Sequence, residues 1–194
     1  MMKSLLLFLT LFSVNVYSQN IWAGAFAKEW NKEFSVFYSN EYLTKNVFKS
    51  KGENVLKFQT EALAASNSGE ITTVLYRTDD NEIEGLLLCF YGSRWNDAGV
   101  VYTGYGFKNF DKEKAFTFLN LLQKNLDEHK DYITQGGTTA YSGNNIFFKF
   151  EDISVIMGYM YGSLTIRLFW DTYDSSWNPN AFEKSKRRFE KRIK

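Results

Sequence analysis

Between Ile71 and Asp111 the chain carries three extended runs joined only by the short turns TDDNE and RWND, and this narrows the available folds most. Ile71 to Arg77 alternates apolar and polar side chains, EGLLLCFYG is apolar on both faces, and Gly99 to Phe107 is again extended. A parallel pair needs a crossover of a dozen or more residues, whereas a tight turn joins antiparallel neighbours. The segment therefore reads as an antiparallel meander with EGLLLCFYG as its central strand, since only a strand covered on both sides lacks a polar face. Asp111 then opens DKEKAFTFLNLLQKNLDEHK, where Ala115, Phe118, Leu119, Leu122 and Leu126 fall on one helical stripe.

A polar stretch from Thr134 to Asn145 separates this unit from a second one. Ile146 to Phe150, Ile153 to Tyr161 and Leu164 to Asp171 read as strands, with turns at Glu151–Asp152 and Gly162–Ser163. In the last of them Leu164, Ile166, Leu168 and Trp170 share a face, while Thr165, Arg167 and Phe169 take the other. WNPNAFEKSKRRFEKRIK follows as a helix, with Asn178 as N-cap, Pro179 in the first turn and Trp177 positioned to staple onto Phe182. Residues 71–130 and 144–193 thus each read as three strands and a helix, and a duplicated βββα unit is one reading of that regularity. Upstream, Phe34 to Ser39 and Asn54 to Gln59 read as strands, with ALAASNSGE as a turn-rich break.

The expected fold is α+β: a mainly antiparallel sheet of meandering strands packed by two amphipathic helices. Aromatic residues form 18% of the chain and proline occurs once, a composition that argues for an ordered, sheet-rich domain. Cys89 is the only cysteine, so no internal disulfide is available and the fold must rest on its apolar core.

The first residues, MMKSLLLFLTLFSVNVYSQN, have the basic start, short apolar run and small-residue cleavage site of a secretory leader, with Val16 and Ser18 preceding a cut before Gln19. The apolar run is much shorter than the roughly 20 residues a membrane span needs. The expectation is residues 1–18 as signal peptide, residues 19–194 as one exported domain in the periplasm or outside the cell, and no transmembrane segment. Loss of Lys3 leaves 22 basic residues against 22 acidic, which gives no reason to expect a nucleic-acid partner.

TGYGFKNFD, residues 103–111, is the nearest approach to a phosphate-binding turn. A dinucleotide fingerprint wants glycine or alanine in the sixth place, where Asn109 stands, and a parallel βαβ setting. It reads instead as a strand end in which Gly104 and Gly106 open a shallow groove for a ring or helix, with Asp111 capping the next helix. His129 is the only histidine and sits near the expected end of that helix, where it serves the helix terminus or is partly buried. No G-x-S-x-G, S-x-x-K, H-E-x-x-H or P-loop pattern occurs, and neither a cofactor nor a metal is expected. Cys89, among apolar neighbours, reads as a buried, unreactive thiol.

FWDTYDSSWN gathers the candidate ligand-binding residues Trp170, Asp171, Tyr173, Asp174 and Trp177. Rings beside carboxylates suit a sugar platform; the same residues also serve as core, staple and turn acceptors. The terminal helix sets Lys184, Lys186, Arg187, Arg188, Lys191, Arg192 and Lys194 around a thin stripe of Phe182, Phe189 and Ile193, which reads as a solvated surface helix. The functional expectation is a non-catalytic binding or accessory protein, with a partner protein or a small-molecule or glycan ligand. A carboxylate-based hydrolase of glycans and a carrier of a small apolar ligand are the alternatives.

Overall fold

A computed structural model describes residues 29–48, 55–95, 98–136, 143–160 and 162–193. The expected leader and the middle of the polar linker lie outside them. A first helix, α1, runs through residues 29–46. Four strands follow: β1 (Phe58–Ala65), β2 (Ile71–Thr78), β3 (Glu84–Trp95) and β4 (Val101–Asp111), then helix α2 (Lys112–Gln135). Four more come next, β5 (Ile146–Phe150), β6 (Ile153–Met160), β7 (Ser163–Trp170) and β8 (Tyr173–Trp177), before helix α3 (Pro179–Arg192). Each set of four is a meander in chain order, antiparallel throughout. The architecture is α+β and mainly antiparallel, as expected, with its strands divided between two sheets and with three helices.

The two sheets and α2 and α3 enclose one core. Ile71 and Leu75 of β2, with Leu86, Leu88 and Phe90 of β3, face Val155, Met157, Ile166, Leu168 and Trp177 of the second sheet. The alternate residues of the first sheet, Val74, Tyr76, Leu87 and Cys89, turn the other way and are covered by Leu43 and Phe48 at the end of α1. This two-sided cover is why β3 has no polar face. Burying each of Leu86, Leu87, Leu88 and Phe90 contributes about 1.5–3 kcal/mol. The second sheet has no such cover among the described residues, and Phe147, Lys149 and Asp174 on its outer face are exposed.

Several local readings change. Phe34 to Ser39 lies inside α1, because Ser35, Ser39 and Leu43, one helical turn apart, are the residues that pack on the sheet. The strand expected at Asn54 to Gln59 instead begins at Phe58 and continues through ALAA, where Leu63, Ala64 and Ala65 are buried. Each of the two sets gains a strand, β1 in the first and β8 in the second, so each is four strands followed by a helix. Helix α2 runs to Gln135 with Ile133 buried, which leaves half-buried His129 more than a turn short of the helix end.

Caps and staples fall where expected, with one change of partner. Asp111 accepts from the Lys114 amide at 2.8 Å. Trp177 meets Phe182 edge-on at 5.3 Å and 85°. Asn178 begins α3, yet its side chain does not cap it; its amide oxygen accepts from the Asn67 backbone N–H at 3.0 Å, tying the helix start to the β1–β2 turn. The basic residues of α3 partly dock it. Arg188 donates to the Leu63 carbonyl, and Arg192 forms a two-pronged pair with Glu61 of β1 at 2.9 and 3.0 Å.

Beneath α1, burial pushes the Cys89 thiol up to about 12 and does the same to the Tyr76 hydroxyl, which donates to Asn109 at 2.7 Å. Both groups are neutral acids whose raised values favour the folded state below their ordinary values of 9.0 and 10.0. That stability is lost as pH climbs from there towards about 12, at about 1.4 kcal/mol per unit for each group. Thermal melts should therefore be flat from pH 7 to 9 and fall steeply above pH 10. Cys89→Ala should soften the fall; a melting temperature unchanged at pH 11.5 would contradict this account.

Candidate functional site

Helix α1 presents two stripes, each repeating every fourth residue. Ser35, Ser39 and Leu43 are buried against the first sheet. Small side chains at 35 and 39 let the helix approach closely, and their hydroxyls are satisfied within it: Ser35 donates to the Asn31 carbonyl at 2.7 Å and Ser39 to the Ser35 carbonyl at 2.5 Å. Ser39 also contacts the Cys89 sulfur at 3.2 Å. Beside this seam runs an aromatic stripe, Trp30, Phe34, Tyr38 and Tyr42. Residues four apart lie one above the other on a helix, so these rings form a ladder.

The facing wall comes from the β3–β4 hairpin, whose register sets Tyr91 opposite Tyr105. Tyr91, Tyr105 and Phe107 are on the α1 side of the sheet. The walls meet at Tyr38–Tyr105, 5.0 Å between ring centroids, and at Tyr42–Phe107, 5.2 Å, while Trp30–Phe34 at 5.1 Å and Tyr91–Tyr105 at 4.8 Å pack within each wall. Between the walls opens a cleft of about 530 Å³, lined by Trp30, Phe34, Tyr38, Tyr91, Tyr105 and Phe107 with Asn31, Thr103 and Gly104. Among the described lining residues none is charged and none is Asp, Glu, His or Cys. Burial, aided by the neighbouring Tyr91, pushes the Tyr105 hydroxyl up to about 12, so it stays protonated at any physiological pH. The cleft can stack on and hydrogen-bond to a ligand through its rings, hydroxyls and the Asn31 amide.

The five residues singled out in FWDTYDSSWN occupy the β7–β8 hairpin and divide between its faces. Trp170 and Tyr173 are cross-strand partners, stacked at 6.2 Å with planes 7° apart, and both lie against Phe90. Tyr173 and Trp177 are buried in the core and Trp170 is half-buried, with its indole N–H donating to Asp152 at 2.9 Å. Asp171 occupies the tight turn with φ of 53° and pairs with Arg94 of β3. Asp174 points to the outer face and pairs with Arg167, whose guanidinium lies 4.9 Å over the Phe169 ring. The structure thus brings the three rings together inside and sends the two carboxylates apart.

Exposed ion pairs contribute little, and asparagine tolerates the left-handed turn position at 171. Asp171→Asn and Asp174→Asn should each change stability by less than about 1 kcal/mol in urea melts. A larger loss from either would show that the pair matters to the fold.

Of the two glycines expected to open a groove, only Gly106 does so, together with Gly92 across the hairpin; a side chain at Gly104 would meet Tyr102 instead. The Tyr173 ring fills it, its hydroxyl donating to the Gly104 carbonyl at 3.3 Å and Arg94 lying 5.0 Å from the ring centre. The ring sits in contact distance of the place a side chain at Gly92 or Gly106 would occupy.

A second depression, about 310 Å³, lies between β1 and the start of α3 and includes Lys32, Lys184 and Arg188 with Glu29. Among the described residues no group of three or more His, Cys, Asp or Glu side chains could hold a metal ion. No described helix is long and apolar enough to cross a membrane. Comparison with protein-family models, curated proteins and solved structures finds no match to this chain.

Proposed function

We propose that this chain is an exported, non-catalytic binding domain whose ligand seat is the aromatic cleft between α1 and the β3–β4 hairpin. The observation that carries the reading is the cleft's lining: six aromatic rings, side-chain polar groups of the hydroxyl, amide and indole N–H kinds, and no charged side chain among the described residues. Concave sites of about 300–1,000 Å³ with mostly apolar walls and a few polar groups are the usual form of a ligand pocket. The glycan-hydrolase alternative draws less support, because Asp171 and Asp174 face opposite ways and each is paired with an arginine. Export rests on the leader pattern of residues 1–18.

Two measurements test this. Intact mass of the protein exported from a bacterial host should begin at Gln19; a retained Met1 in a membrane fraction would overturn export. A thermal-shift panel of neutral oligosaccharides, proline-rich peptides and small aromatic compounds should stabilise the protein with at least one uncharged class, without turnover of that compound. Trp30→Ala, at a half-exposed position, should abolish the shift and leave the unliganded melting temperature nearly unchanged. Product release from any member, or no shift from all three classes, would overturn the reading.

A further inference from the structure

Resting on that reading, we infer that the cleft takes a proline-rich peptide in the extended polyproline conformation. Three observations point there. The first is shape: Trp30, Phe34 and Tyr38 form a row along one helix face, and Tyr91, Tyr105 and Phe107 form a second row that meets it at the Tyr38–Tyr105 contact. From residue 30 to residue 38 the helix rises about 12 Å, which matches about four residues of polyproline helix at ~3.1 Å each. A trough with two aromatic walls suits a rod.

The second is hydrogen-bonding sense. The hydroxyls of Tyr38 and Tyr91 make no hydrogen bond among the described residues, where they lie near the Tyr105 hydroxyl, and the Asn31 amide adds N–H donors. A glycan brings a donor with every free hydroxyl, for which a carboxylate is the strongest acceptor, and none is among the described lining residues. A run of prolines carries carbonyl acceptors and no N–H, so its polar needs are donors alone. The third is charge: with no ionic side chain in the described lining, the peptide core is held by pyrrolidine faces against rings. Its preformed conformation lowers the ordering cost of binding.

The test uses residues 19–194 and fluorescence anisotropy with three fluorescein-labelled probes: an octaproline peptide, an octapeptide with alanine at alternate positions, and a neutral hexasaccharide. Octaproline should bind, and the alanine-substituted peptide should bind about tenfold more weakly or worse. Tyr38→Phe and Tyr91→Phe keep the ring packing and remove one donor each, so each should weaken octaproline about two- to tenfold at unchanged melting temperature. Binding of the hexasaccharide, lost in Trp30→Ala, without binding of octaproline would overturn the peptide inference and leave the cleft as the ligand seat. Binding of octaproline untouched by both Phe variants would overturn the donor assignment. Failure of these probes and of the wider panel would overturn the inference together with the reading beneath it.

Discussion

Trp177→Ala is expected to cost about 3–5 kcal/mol in urea unfolding. The indole is fully buried between the second sheet and α3, where it meets Phe182 edge-on. Truncation removes the ring's packing on both, and the rigid elements around it cannot collapse to fill the space. Its N–H has no hydrogen-bond partner among the described residues, so the loss is one of packing. Trp177→Phe sharpens the test. It keeps most of the apolar contact and removes a buried donor whose desolvation costs about 1–3 kcal/mol, so its net cost should be well under half that of alanine. A cost below about 1 kcal/mol for Trp177→Ala would contradict the buried staple.

Gly106→Ala should destabilise by about 1–3 kcal/mol, although alanine ordinarily suits a strand better than glycine. A β-carbon there would fall on Cε2 of Tyr173, with Cζ at 2.9 Å and Cζ3 of Trp170 at 3.1 Å. Carbon atoms rest at about 3.5–4.0 Å, so the ring would have to retreat. It is held by stacking on Phe90 at 5.7 Å and on Trp170, and by its bond to Gly104. The same substitution in a Tyr173→Ala background should cost much less, because only the half-buried Trp170 ring, at 3.1 Å, then has to give. The double-mutant cycle isolates that coupling, which neighbours of this kind carry and distant residues do not. Equal costs in both backgrounds would place the strain elsewhere.

The glycine pair shows what sequence patterning could reach. Its spacing in an extended strand implied a groove for a ring, and local context excluded a phosphate loop. Strands β2, β5, β6 and β7 were legible because their inward apolar residues repeat every second position between short turns, and β3 because its unbroken apolar run fits a strand covered on both faces. Strand β8 was not. Its inward residues, Tyr173, Ser175 and Trp177, alternate with Asp174 and Ser176, and the polar serine among them resembles a turn. The real turn is the pair Asp171 and Thr172, which needs a left-handed backbone at a non-glycine residue.

Helix α1 was misread because Phe34, Val36 and Tyr38 alternate like a strand, while the stripe that packs is marked by serines. The competing signal was present at period four, in Ser35, Ser39 and Leu43 and in Trp30, Phe34, Tyr38 and Tyr42. Only tertiary burial decides between the two periods. The cleft inherits that ambiguity. Its walls join α1 to residues 91–107, and no local pattern announces such a meeting.

The most direct test of a ligand seat between α1 and the β3–β4 hairpin is a backbone amide NMR footprint of residues 19–194 with whichever panel compound stabilises it. Shifts should cluster at residues 30–42, at Tyr91 and at Thr103 to Phe107, with the β7–β8 hairpin unmoved. Shifts confined to Trp170 through Trp177, or to the outer face of the second sheet around Phe147 and Arg167, would contradict the account.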